Sequence, residues 1–142
     1  MIYTELTKKA MRLCFDVHKE QVDKTDMPYV FHPFYLATQM DDEVSTVCAL
    51  LHDVVEDTLT SFEDLRNMGF PHEVIEVLTL LTHEEGVPYM DYVKKIATNE
   101  TAKKVKIADL KHNSDTTRLS QVDEKTSKRL EKYRNALKLL IE

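Results

Sequence analysis

The sequence predicts an all-α fold, a single-domain helical bundle built around one central apolar helix. Three observations carry this reading. The 142 residues contain only two glycines, fewer than a glycine-rich phosphate loop or a hairpin-rich sheet needs. Apolar residues recur at three- and four-residue steps along most of the chain, the period of a helix with one buried face. The segment Val44 to Val55 is apolar around nearly its whole circumference, which marks a helix enclosed by others. No internal repeat, low-complexity tract or linker interrupts the pattern, so one domain over residues 1–142 is expected.

The elements follow in order. Leu6, Ala10, Leu13, Cys14 and Val17 form the buried stripe of a first helix. The polar run from Val22 to Tyr29, closed by Pro28, is a loop of functional size rather than a tight turn. A short helix starts at His32-Pro33, where proline suits a first turn, and reaches about Gln39. Asp41 or Asp42 caps the central helix, and Thr60 or Ser61 opens the next, with Asp64 completing a capping box to Ser61. Gly69 ends that helix and Pro71 begins another, carried by Val74, Ile75, Val77, Leu78 and Leu81. A second polar loop runs from His83 to Pro88. Helices are then expected at about Tyr89 to Ala97, Glu100 to Ala108 and Lys125 to Ile141, the last with Leu130, Tyr133, Leu137 and Leu140 on one face.

Composition narrows the function classes. No apolar stretch approaches the roughly 20 residues that cross a bilayer, so no membrane span is expected. The start, MIYTELTKKA, lacks a basic region followed by an apolar core, so no secretory leader is expected. Cys14 and Cys48 sit within apolar helical patterns and read as reduced core thiols, which points to a cytoplasmic setting. A net charge of −6 argues against a general nucleic-acid binder.

The chemistry-bearing residues stand out against this background. The central helix closes on Leu51-His52-Asp53-Val54-Val55-Glu56-Asp57, which its apolar body does not explain. His52 and Glu56 are four apart, as are Asp53 and Asp57, so the two pairs are expected to project from neighbouring parts of one helix end. These groups can simply face solvent, or they can be held by pairing or by a cation. Tyr29-Val30-Phe31-His32-Pro33 sets a histidine among apolar neighbours, where a satisfied core histidine is the ordinary alternative to a ligand. Val105 to Asn113 places Asp109 where an apolar helix face wants leucine, unless it is a cap. Together, His32, His52, Asp53 and Asp109 offer two imidazoles and two carboxylates, a set suited to Mn2+, Fe2+ or Mg2+.

With these motifs in place, the chain resembles the HD superfamily of metal-dependent phosphohydrolases. Within it, the chain is similar to the hydrolase domain of the RelA/SpoT homologues, the (p)ppGpp 3′-pyrophosphohydrolases, particularly the small stand-alone ones. The resemblance rests on His18 and Gln21 of HKEQ, on PYVFHP, on ALLHDVVEDT and on KIADLKHN, and spans about residues 8–140. It implies an HD-type bundle, metal ligands at His32, His52, Asp53 and Asp109, a preference for Mn2+, and catalytic acidic residues at Glu56 and Asp57. It also implies nucleotide contacts at Asn113 and Thr116, and at Tyr133, whose other reading is core packing. The reaction it implies is attack of activated water at the phosphorus nearest the ribose 3′-oxygen, releasing pyrophosphate and leaving GDP or GTP. At 142 residues there is no room for a synthetase domain, so (p)ppGpp synthesis is not expected.

An acidic chain that binds a polyanion needs local basicity. Lys24, Lys111 and Arg118 flank the matched motifs and are the preferred substrate contacts, whereas Lys103, Lys104 and Lys106 read as solvated helix faces. The loop Val22 to Met27 departs from the family: it has one lysine and no glycine, and Glu20 precedes Gln21 in place of a small residue. That departure bears on substrate identity. It keeps open an HD phosphohydrolase acting on another phosphorylated nucleotide, such as a nicotinamide dinucleotide phosphate. A third reading is a non-catalytic nucleotide-sensing domain. The expected partner is a small-molecule nucleotide, with no nucleic acid or membrane, and a homo-oligomer is allowed.

Overall fold

Capping chemistry sets most of the helix starts. In the computed structural model, which describes residues 1–119 and 121–142, Thr4 and Thr7 close a capping box on α1 (Glu5–His18). Helix α2 (Phe31–Thr38) carries Pro33 in its first turn. The Asp42 side chain accepts the Ser45 N–H and caps α3 (Glu43–Leu51), while Asp41 pairs with Lys104. The short α4 (Val54–Asp57) follows, then α5 (Phe62–Asn67), capped by Ser61 and Asp64 as expected. Gly69, at φ 93, ends α5 in a conformation that a side chain would strain. Helices α6 (His72–Leu81), α7 (Tyr89–Ile96), α8 (Glu100–Asn113) and α9 (Glu124–Ile141) complete the chain, with a 3-10 turn at Thr116–Arg118 before α9. Among the described residues there is no strand beyond one isolated bridge, Val22 to Pro28, which closes the polar loop.

Helix α3 is the hub. It packs against α1, α2, α6 and α8, and every residue from Ser45 to Leu51 is buried. The apolar circumference expected for the central helix is therefore what the fold uses. Both cysteines are buried and free, and burial pushes the Cys14 thiol up to about 12. Among the described residues, no helix is long and apolar enough to cross a membrane. Replacing Leu50, 1% exposed at the centre of this packing, by alanine is expected to cost about 2–5 kcal/mol. Thermal unfolding would register this as a Tm lower by roughly 5–20 °C.

Two boundaries differ from the sequence expectation, and both shape the site. The central helix does not run through to Val55. It ends at Leu51, and Asp53 sits at φ −109, ψ 4 before the chain re-enters a helix as α4. His52 Nδ1 turns back onto the Ala49 carbonyl oxygen at 2.8 Å, which aims the imidazole inward instead of along a continuing face. Helix α8 is longer than expected, extending to Asn113, so Asp109 is an interior helical residue and not a cap. It stays helical through this polar stretch because Asp109 is paired inside the fold.

Candidate metal centre

Three helices deliver one site. His32 comes from the first turn of α2, His52 from the turn after α3, and Asp109 from the buried face of α8. One ligand atom from each lies within 4.8 Å of the others, and all three residues are buried. His32 Nε2 stands 2.8 Å from Asp109 Oδ1. Since His52 Nδ1–H donates to the Ala49 carbonyl, its Nε2 is left with the lone pair when the ring is neutral. That Nε2 is buried without a hydrogen-bond partner, 3.1 Å from Asp53 Oδ2 and 3.5 Å from Asp109 Oδ1. A lone pair facing two carboxylate oxygens is unfavourable unless a proton or a cation lies between them. The donors therefore fit a divalent cation, and their mixture of imidazole nitrogen and carboxylate oxygen suits a hard or borderline ion.

The electrostatics agree. Burial opposes protonation of His52, but the Asp53 and Asp109 carboxylates outweigh it and raise the imidazole well above its ordinary range. Asp109 is held well below the usual carboxylate range: burial works against this, and the Lys106 ammonium with the His32 and His52 contacts overcomes it. Lys106 Nζ donates to Asp109 Oδ2 at 3.0 Å, its side chain only 13% exposed and its ammonium 5.3 Å from the Tyr92 ring centre. Asn113 Nδ2 donates to Asp109 Oδ1 at 3.0 Å. Asp53 accepts the Tyr29 hydroxyl, and its carboxyl is lowered because His52 outweighs the cost of burial.

The expected acidic pair lies on α4, beside this centre. Both residues are solvent-exposed, yet partial desolvation and the Asp53 charge raise each carboxyl above its usual range. Glu56 Oε1 accepts the backbone N–H of His83 at 3.3 Å. The His83 loop is itself anchored, since Nε2–H donates to the Val87 carbonyl at 2.7 Å and the ring stacks on Tyr92 at 4.5 Å. On the other side, Gln21 Nε2 donates to the Asp57 carbonyl at 3.2 Å and accepts His18 Nδ1–H on Oε1 at 2.9 Å.

A cavity of about 520 Å³ opens beside the centre, with Tyr29, Asp57 and Asn113 on its inner wall and Lys24, Arg118 and Tyr133 further out. Five of the residues singled out from the sequence, Asp57 among them, thus line one cavity. Two do not: Thr116 is exposed and lines no described cavity, and Lys111 lines a separate cavity with Tyr35 and His112. Lys106, read as a solvated lysine, is the buried partner of Asp109. Its i, i+3 spacing to Asp109 was the available signal. The sequence reading did not single out Tyr29, His83 or Arg129, which also lines the larger cavity. Nothing in their spacing marked them.

Known proteins resemble this chain in sequence and in fold. The chain is similar to a guanosine-3′,5′-bis(diphosphate) 3′-pyrophosphohydrolase of Xenopus tropicalis, 30% identical over 122 residues covering 76% of this chain and 67% of that protein. The chain belongs to that pyrophosphohydrolase family. It is also 29% identical over 126 residues to the bifunctional (p)ppGpp synthase/hydrolase SpoT of Escherichia coli K12, covering 77% of this chain and 18% of that protein. It spans 11% and 13% of the GTP pyrophosphokinases of Myxococcus xanthus and Streptomyces coelicolor that it matches. No protein-family model matches. The solved structure of a metazoan ortholog of SpoT that hydrolyzes ppGpp superposes with a TM-score of 0.81 over 100% of this chain and 88% of that one, at 22% identity. That likeness establishes the family's all-helical, HD-type fold here.

The donor set leads to a direct test of the centre. Adding a divalent cation at about 100 times its Kd is expected to stabilise the protein by about 2.7 kcal/mol. Differential scanning calorimetry should show the rise in Tm for the wild type and none for His52→Ala.

Proposed function

We propose that this protein is a Mn2+-dependent, cytoplasmic phosphohydrolase that removes the 3′-pyrophosphate of (p)ppGpp, yielding GDP or GTP and pyrophosphate. The observation that carries the reading is the unpartnered His52 Nε2 among His32, Asp53 and Asp109, directly behind the Tyr29 and Asn113 side chains that line a cavity with a cationic rim. The family relatives support it.

His32, His52, Asp53 and Asp109 would hold the ion. When bound, it supplies Lewis-acid polarisation of the phosphate oxygens and lowers the pKa of water. Glu56, its carboxyl raised and one oxygen steadied by the His83 N–H, takes a proton from the attacking water. Asp57 faces the cavity from the same helix and orients that water. The water oxygen bonds to the phosphorus nearest the ribose, the bond to the 3′-oxygen breaks, and the 3′-oxygen leaves as a hydroxyl by taking up the proton that Glu56 removed from the water. Lys24, Arg118 and Arg129 receive phosphate charge at the outer wall, and Tyr133 offers a ring face to the base. Asn113 serves the site through Asp109, to which its amide is committed.

One observation favours a different nucleotide as substrate. Asp23 lies in the cavity wall, and its carboxylate stands 3.5 Å from an Arg118 guanidinium nitrogen, engaging one of the few cations there. The test is to incubate the Mn2+-loaded protein with ppGpp, pppGpp and other phosphorylated nucleotides, including a nicotinamide dinucleotide phosphate, beside Asp53→Ala. Pyrophosphate and GDP from ppGpp, lost in the variant, are the expected result. Turnover of another nucleotide with ppGpp untouched overturns the substrate, and indifference to chelation overturns the metal.

A further inference from the structure

His32 and His112 lie edge to edge in nearly one plane. Their ring planes differ by 8°, their centroids are 5.0 Å apart, and Nδ1 faces Nδ1 at 2.7 Å. A separation that short at that centroid distance puts both nitrogens on the line between the ring centres. This is therefore a head-to-head hydrogen bond and not a face-to-face stack. Tyr35 covers a face of His112 at 4.3 Å and 22°, and helix α8 fixes the backbone beneath it, so the pair is held from two sides.

An Nδ1···Nδ1 bond has room for one hydrogen. In the structure, His32 Nε2 is 2.8 Å from Asp109 Oδ1, and an ionised carboxylate only accepts, so Nε2 carries a hydrogen there. A neutral His32 then accepts at Nδ1, and His112 Nδ1–H donates. A cation needs the Nε2 lone pair, so the His32 hydrogen must move to Nδ1 and His112 must become the acceptor with its own hydrogen on Nε2. We propose that His112 is a positioning residue for the metal centre, exchanging tautomers with His32 so that His32 Nε2 becomes a ligand. The inference rests on the metal reading above. It adds that this imidazole, which both donates and accepts at one nitrogen, does what a carbonyl or carboxylate partner could do in only one direction.

The test uses the full chain and Zn2+ alone, a diamagnetic probe. In 15N NMR of the histidine side chains, His32 and His112 should exchange their protonated nitrogens between the metal-free and Zn2+-loaded states. By calorimetry, His112→Phe should bind Zn2+ about 10- to 100-fold more weakly, and its metal-free Tm should fall by no more than the loss of one buried hydrogen bond costs. His112→Asn, whose carboxamide can accept or donate, should recover part of that loss. The proposal is overturned if His112→Phe binds as tightly as the wild type, or if the loaded wild type keeps the metal-free tautomers. A wild type that binds no cation overturns the metal reading and this proposal together, whereas a tight-binding His112→Phe overturns this proposal alone.

Discussion

Asp109→Asn is expected to remove divalent-cation binding and to lower ppGpp turnover by more than the roughly 10- to 100-fold that losing a mere supporting partner costs. It should also destabilise the metal-free protein by about 3–5 kcal/mol, the usual cost of leaving one member of a buried ion pair uncompensated. The reason is local. The carboxylate receives Lys106 Nζ on one oxygen, and His32 Nε2 and Asn113 Nδ2 on the other. A carboxamide keeps an acceptor for the last two but turns an NH2 group on the buried ammonium. The pH dependence has a definite sign: the folded pKa of Asp109 is depressed, so its stabilisation is present above the ordinary carboxylate range near about 4 and is lost as pH falls through the folded value. The deficit of the variant is therefore full at neutral pH and shrinks in strong acid. The double variant Lys106→Met/Asp109→Leu separates the two losses. Removing the ammonium relieves the uncompensated charge, but leucine leaves His32 Nε2–H and Asn113 Nδ2–H without an acceptor, so urea unfolding should recover only part of the deficit while calorimetry still finds no cation binding.

That ion pair also marks how far the sequence could be read. His32, His52, Asp53 and Asp109 were legible because each sits in a short motif whose residue type contradicts its apolar surroundings. Lys106 was not, because a lysine on an amphipathic helix is ordinarily solvated, and only the partner at i+3 distinguishes it. The break at His52 had no glycine or proline to announce it. It comes with a local side-chain bond, the imidazole turning back onto the carbonyl of Ala49 three residues earlier. The extension of α8 was hidden for a related reason, since polar residues that pair inside a fold look in sequence like the end of a helix. Lys111 was preferred as a substrate contact because it flanks the matched motifs along the chain, close to Asn113. Residues two apart on a helix do not share a face, and Lys111 accordingly lines the cavity by Tyr35 and His112.

Glu56→Gln should lower kcat for ppGpp by about 10²- to 10⁴-fold, the range for a positioned proton-transfer group, with KM, cation affinity and Tm close to wild type. Glutamine keeps an oxygen for the His83 N–H, so the loop from His83 to Val87 stays anchored and the packing beneath it is undisturbed. What it cannot do is take a proton. The substitution is at a solvent-exposed position, where the stability cost is ordinarily within about 0.5 kcal/mol. A fall confined to kcat therefore reports an interaction made only in the transition state. Asp57→Asn is the companion measurement, because Gln21 bonds the Asp57 main chain and not its carboxylate. If the two acids act as one unit on the attacking water, the double variant will be scarcely slower than the worse single one. If the deficits multiply instead, Glu56 and Asp57 serve separate steps, and the orienting role assigned to Asp57 must be withdrawn.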